Sequence, residues 1–236
     1  MRCNSILLCF VQSVFLSMWL INSHAALAQS IASPLQDASA DYESALANPD
    51  RADLLELALL SAAVAADALP EDSRPHILIG SLYLRLSENA LALQEAEAAF
   101  LTALDLAPGD VRATTLLGQV YFLQRRFYSA RTSWLPLLIA EADGLGSTLL
   151  SQTLQAYLLN DDVLLGLQEL NELRLQYRDN PWLAALEAGL LKARLRVVND
   201  ADAESRLQRV RNWWQQQTGA PAELAAFVDE NWLGEG

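Results

Sequence analysis

The sequence predicts an all-α protein of about five antiparallel helix hairpins closed by a C-terminal capping helix. Three observations carry that prediction. The 236 residues include only 10 Gly and 8 Pro, too few for a turn-dense β protein. Ala, Leu, Gln, Glu and Arg dominate, and these are good helix formers. No stretch alternates with period two, whereas apolar residues recur at helical spacing between short polar joints.

The elements follow in chain order. Arg2 and the apolar run Ile6–Ile21 precede Ala26-Leu27-Ala28, which fits the small-x-small rule of an export signal. Cleavage is expected between Ala28 and Gln29. An uncleaved anchor in the inner membrane is the alternative, although a run of 16 residues is short for a full span. Both cysteines, Cys3 and Cys9, lie in this segment, so the mature chain offers no disulfide and no thiolate metal site.

After residue 28 the spacing predicts helices over 34–47, 51–68, 73–87, 89–107, 111–124, 126–141, 147–159, 162–178, 181–198, 200–216 and 221–232. Their joints have a local cause. Ser33-Pro34 and Asn180-Pro181 each set a capping side chain before a proline at the first helical position, where the missing N–H costs nothing. Pro108-Gly109-Asp110 stops one helix and caps the next, and Asp143-Gly144 and Asn160-Asp161-Asp162 are similar breaks. Joints this short force antiparallel neighbours.

The hairpins repeat. Within 111–144, Leu117-Gly118, Tyr121, Phe127, Ala130 and Trp134 stand at the spacing of the tetratricopeptide family, and the stretch resembles that family closely. Thr114 occupies the place of its usual large aromatic. Ile79-Gly80, Tyr83, Ala96, Phe100 and Ala103 repeat the pattern in 73–110, a 38-residue unit whose hairpin joint reads as about four residues too long. Leu150, Leu154, Tyr157, Val163, Gly166, Leu170 and Leu173 repeat it in 147–180. The organisation read from this is a signal peptide at 1–28, a divergent pair at 29–72, three repeats at 73–180, and a divergent pair with its cap at 181–236. Gly118 and Ala130 are expected where the helices of one hairpin cross. Tyr121, Phe127 and Trp134 are expected to fill the gap to the next hairpin.

Function classes narrow by exclusion. There is no phosphate loop, no G-x-S-x-G and no H-E-x-x-H. His76 is the one histidine after residue 28, which leaves no Ser–His or Cys–His pair and predicts a protein that is not an enzyme and needs no cofactor or metal. Residues 29–110 hold 14 carboxylates and 3 Arg, a charge distribution that argues against nucleic acid. Membrane contact is expected only if the signal segment stays attached.

The resemblance implies a right-handed superhelical solenoid, a scaffold that binds another protein or peptide along its inner face. In the bacterial periplasm it would serve an envelope assembly such as secretion, a pilus or polysaccharide export. A peptide-holding or chaperone-like factor is the alternative, and the repeat with Trp134 and Leu137-Leu138 is also similar to repeats of cytochrome c maturation factors. The inner stripe would consist of Arg74 and Ser81, then Arg112, Thr115, Gln119 and Phe122, then Thr148, Ser151 and Gln155. Arg112, Gln119, Ser151 and Gln155 should be exposed, with Tyr121 and Trp134 buried. Family members that grip a C-terminal carboxylate carry Lys and Asn on this stripe, and this chain does not. A second surface, Arg206, Arg209 and Trp213, could contact an anionic partner, or its Arg stems could lie over an apolar face.

Overall fold

The computed structural model describes residues 34–140, 146–217, 221, 224 and 228. The export signal and the Asp143-Gly144 break lie outside the described residues, as does most of the predicted cap. Leu224 and Val228, which belong to that cap, are helical and buried.

Among the described residues the chain forms ten helices and no strand. They are α1 (34–47), α2 (Ala52–Ala68), α3 (Ser73–Leu84), α4 (Ala90–Leu106), α5 (Val111–Leu123), α6 (Phe127–Ile139), α7 (Gly146–Leu159), α8 (Val163–Gln176), α9 (Pro181–Val197) and α10 (Ala201–Gln215). Two of the predicted caps operate among the described residues, while Asp162 makes no side-chain cap at the start of α8. Asp110 accepts from the Ala113 N–H at 2.7 Å. Asn180 accepts from the Leu183 N–H at 3.0 Å, and its amide donates to the Ile139 carbonyl, so one side chain starts α9 and ties it to the end of α6. Asp72, Asn89 and Asp200 cap α3, α4 and α10 in the same way.

Successive helices from α2 to α7 pack in sequence, each on the one before, as a solenoid requires. The crossings sit where small residues were expected. A Cβ on Gly118 would stand 2.2 Å from the Trp134 indole, and one on Gly80 would stand 2.7 Å from the Phe100 ring. Trp134 lies over Gly118 inside its own hairpin, where its Nε1 donates to the Thr115 carbonyl at 3.0 Å, and it belongs to the core that takes in Leu149 and Leu150 of α7. Only a bare Cα lets a ring that large sit so close to the partner helix. The 38-residue unit differs from expectation, because only part of its surplus is in the joint. Its joint spans 85–89 against 124–126, and α4 has 17 residues where α6 has 13.

Two hairpin joints are copies of each other. Arg125 has φ 60° and Asp161 has φ 56°, and they stand 36 residues apart. The Arg126 N–H donates to the Tyr121 carbonyl at 2.8 Å, and the Asp162 N–H donates to the Tyr157 carbonyl at 2.9 Å. This is the left-handed C-terminal cap of a helix, here built without glycine.

The C-terminal part is built around α9. Ten consecutive residues, Trp182 to Leu191, are buried, so this helix has no solvent face over nearly three turns. α6, α7, α8 and α10 all pack on it, while α7 and α8 touch each other only sparingly. The Trp182 ring occupies the space beside Gly146, and Leu190 reaches Gly166.

Candidate binding groove

A cleft of about 720 Å³ opens between α1, α3 and α5, the first helices of three consecutive pairs. Tyr42 comes from α1, Ser81 and Leu84 from α3, and Arg85 from the end of α3. Val111, Arg112, Thr115, Leu116 and Gln119 come from α5. Their spacing by three and four residues puts them on one side of α5, opposite Ala113, Leu117 and Val120, which are buried. Arg85 donates through Nη1 to the Ala45 carbonyl at 2.8 Å and thereby fixes α1 against α3.

The electrostatics of the cleft oppose those of the surrounding chain. Two guanidinium groups line it and no carboxylate does. Arg85 is committed to Ala45, whereas Arg112 and Gln119 make no hydrogen bond among the described residues. Arg112 is exposed and Gln119 half-buried. The cleft therefore offers an apolar surface with one free cation and one free amide at its side. That combination suits an apolar side chain next to a carboxylate or carbonyl.

The inner stripe expected from the sequence is only partly assembled. Ser81, Arg112, Thr115 and Gln119 meet in the cleft. Ser81 is buried and its hydroxyl donates to the Ile77 carbonyl at 2.7 Å; Thr115 Oγ1 likewise donates to Val111 at 2.8 Å, so both form floor rather than grip. Arg74 stands outside it, paired with Asp72. Phe122 packs inward, its ring centroid 5.4 Å from Phe127 and 5.9 Å from Trp134. It is half-buried against the core and does not line the cleft, because the helix turns its position toward α6. Thr148 and Gln155 are exposed and Ser151 is half-buried on α7, none of them lining this cleft. Trp134 is buried, while Tyr121 is half-buried under the Arg126 guanidinium, 4.4 Å from the ring centre. Tyr42 and Arg85 were not legible as site residues. The first pair lacks a Leu-Gly landmark, so nothing in the sequence assigns Tyr42 to a face.

No family model matches the chain. No curated protein matches it. Among solved structures, one described as "Functional Characterization of Pseudomonas Aeruginosa pilF" aligns with a TM-score of 0.46 at 15% identity, over 86% of this chain and 95% of that one.

The second surface expected from the sequence is divided: Arg206 and Arg209 line one cleft of about 430 Å³, and Trp213 lies outside it. Arg206 donates to Glu187 at 2.8 Å, and Arg174 approaches the other oxygen of that buried carboxylate at 3.6 Å. Arg206 thus neutralises a charge on α9, which explains its position without any external ligand. Trp213 lies beneath the Arg174 guanidinium at 4.9 Å and beside Trp214 at 5.9 Å. Arg209 alone stays exposed, donating to Ser205.

A third cluster escaped the sequence reading altogether. Arg131 on α6 is 1% exposed, yet it meets Asp162 at 2.5 Å and Glu169 at 3.4 Å. Its guanidinium lies against the rings of Tyr128 and Tyr157, at 4.9 and 4.6 Å. The Tyr157 hydroxyl donates to Glu169 at 2.7 Å; burial and that hydrogen bond push its ionisation upward. Hydrogen bonds from Asn160 and then Arg131 hold the Asp162 carboxyl below the ordinary aspartate range. These contacts fasten α6, α7 and the α7–α8 joint together. No spacing rule pairs position 131 with 162 or 169, so the sequence carried no signal for it.

Proposed function

We propose that this chain is a non-catalytic adaptor that binds an extended or helical segment of another protein in the α1–α3–α5 groove. The observation that supports it is the free Arg112 beside apolar Leu84, Val111 and Leu116, in a cleft without a carboxylate. Its charge runs against the strongly acidic first half of the chain, so the groove selects a segment that is apolar and carries an acid or a carbonyl. We place this activity in the bacterial periplasm, in the service of an envelope assembly. Support for the location comes from the apolar run ending at Ala26-Leu27-Ala28.

Affinity capture from a periplasmic extract, quantified by mass spectrometry, tests both parts. The wild-type chain should enrich envelope components, and Arg112→Ala with Gln119→Ala should lose them. Equal capture by the double variant rejects the groove, and a full-length chain confined to the cytoplasmic fraction rejects the location.

A further inference from the structure

Helix α2 packs Leu54, Leu55 and Leu59 against the core and still leaves an apolar face outward. Its buried residues are Ala58, Ala62 and Ala65, whereas Leu57, Leu60 and Val64 are 46%, 64% and 54% exposed. Helix propensity does not demand leucine at such positions; glutamate, lysine or glutamine would serve as well. Asp53, Leu57, Leu60, Val64 and Asp67 follow one another at intervals of four, three, four and three residues. That alternation keeps a stripe on one side of a helix along its length, as it does where two helices run side by side. The stripe is apolar in its middle and carboxylate at both ends, with Asp53 and Asp67 both exposed.

Charge decides what can cover it. Residues 34–72 contain nine carboxylates and a single base, Arg51, which is paired with Asp53 at 2.6 Å. A second copy laid antiparallel would set Asp53 against Asp67, and a parallel copy would set each against itself. An anionic membrane would meet the same carboxylates. A positively charged partner removes all of these conflicts.

We infer that the outward face of α2 docks an amphipathic helix of another protein, apolar in its middle and carrying Lys or Arg at both ends. The stripe extends over about 21 Å, from the helical rise of about 1.5 Å per residue. The partner therefore needs about four turns. This face lies outside the α1–α3–α5 groove and does not depend on it, so the two sites can be occupied together.

The test uses the full chain and a synthetic amidated 18-residue helix with leucines at the same heptad positions and lysines at both ends, followed by fluorescence anisotropy. A second peptide carries glutamates in place of the lysines. The lysine peptide should bind, and Leu57→Gln with Leu60→Gln should weaken it by about tenfold or more. Asp53→Asn with Asp67→Asn should do the same, and the glutamate peptide should not bind. Binding that ignores the leucine changes would be diffuse attraction to an acidic protein and would overturn the proposal. So would a dimer in sedimentation that dissociates in the Leu57→Gln/Leu60→Gln variant, because the stripe would then serve a second copy.

Discussion

The indole nitrogen of Trp134 donates to the carbonyl of Thr115 across 3.0 Å, and this bond lays the ring over Gly118. A carbonyl has two lone pairs, so Thr115 can serve the helix and the indole together. Any side chain at 118 must displace the ring and break that bond. Gly118→Ala is therefore expected to destabilise by about 1–3 kcal/mol. Adding Trp134→Leu should recover part of the loss, since a smaller side chain vacates the space beside the new methyl. Thermal melting of the two variants checks this, and equal melting of Gly118→Ala and wild type would remove the crossing from the account.

Arg125 and Asp161 occupy left-handed backbone without being glycine. For most L residues that conformation costs about 1–2 kcal/mol, less for Asp, whose short polar side chain tolerates it. Arg125→Gly should thus raise the melting temperature, and Asp161→Gly should raise it less. Chemical denaturation of both variants gives the ordering.

Asp162 neutralises a guanidinium that has 1% of its side chain exposed. Asp162→Ala leaves that cation with Glu169, at 3.4 Å, as its remaining carboxylate partner beside the two tyrosine rings. The expected loss is about 3 kcal/mol, as for other buried pairs stripped of one member. Arg131→Met should cost less, because Asp162 and Glu169 keep 24% and 33% exposure and can hydrate. Urea titrations of the two variants should show that asymmetry.

The same contacts set a pH window. Asp162, Asp72 and Asp200 all have carboxyls held below the ordinary aspartate range, Asp72 by Arg74 and Asp200 by the Ala203 N–H. A group lowered in the folded state adds stability above its unfolded value and loses it as pH falls through the folded one. Stability should stay level down to about pH 5 and decline below about pH 4, near the ordinary aspartate range. Tyr157, raised by burial and by Glu169, works the other way. Its contribution is complete below the ordinary tyrosine value and fades as pH climbs beyond about 10. Melting curves across that range, with Tyr157→Phe as comparison for the alkaline limb, separate the two.

Arg112 is exposed and Gln119 half-buried, and neither supports the fold through a hydrogen bond among the described residues. Replacing both by alanine should change stability by about 0.5 kcal/mol or less. Circular dichroism and melting of the double variant establish that any loss of capture reflects the groove.

The helices were legible because their signals are local. Asp110 and Asn180 each precede an apolar run and cap it, and Gly80 and Gly118 mark crossings by the absence of a side chain. The groove was half legible, since Arg112, Thr115 and Gln119 share one face of α5 by spacing alone. What stayed hidden depends on which helix lies opposite. Phe122 looks like surface until α6 brings Phe127 and Trp134 beside it. Arg206 looks like a cationic surface residue until α9 presents Glu187. Only the fold places Asp162 and Glu169 around Arg131. Burial of a charge is a property of tertiary neighbours, and no periodicity encodes it.

The enclosure of α9 gives the molecule two kinds of cooperativity. The first three helices share a core of their own, and α3, α4 and α5 share another, so the N-terminal end can open stepwise, as a row of units held by nearest neighbours. From Phe127 to Val228 a single core surrounds Trp182–Leu191. That helix cannot be released unless its neighbours leave together, so this part behaves as one block. Amide hydrogens of α9 should consequently exchange only through opening of the whole block, while those of α1 and α2 exchange through fraying.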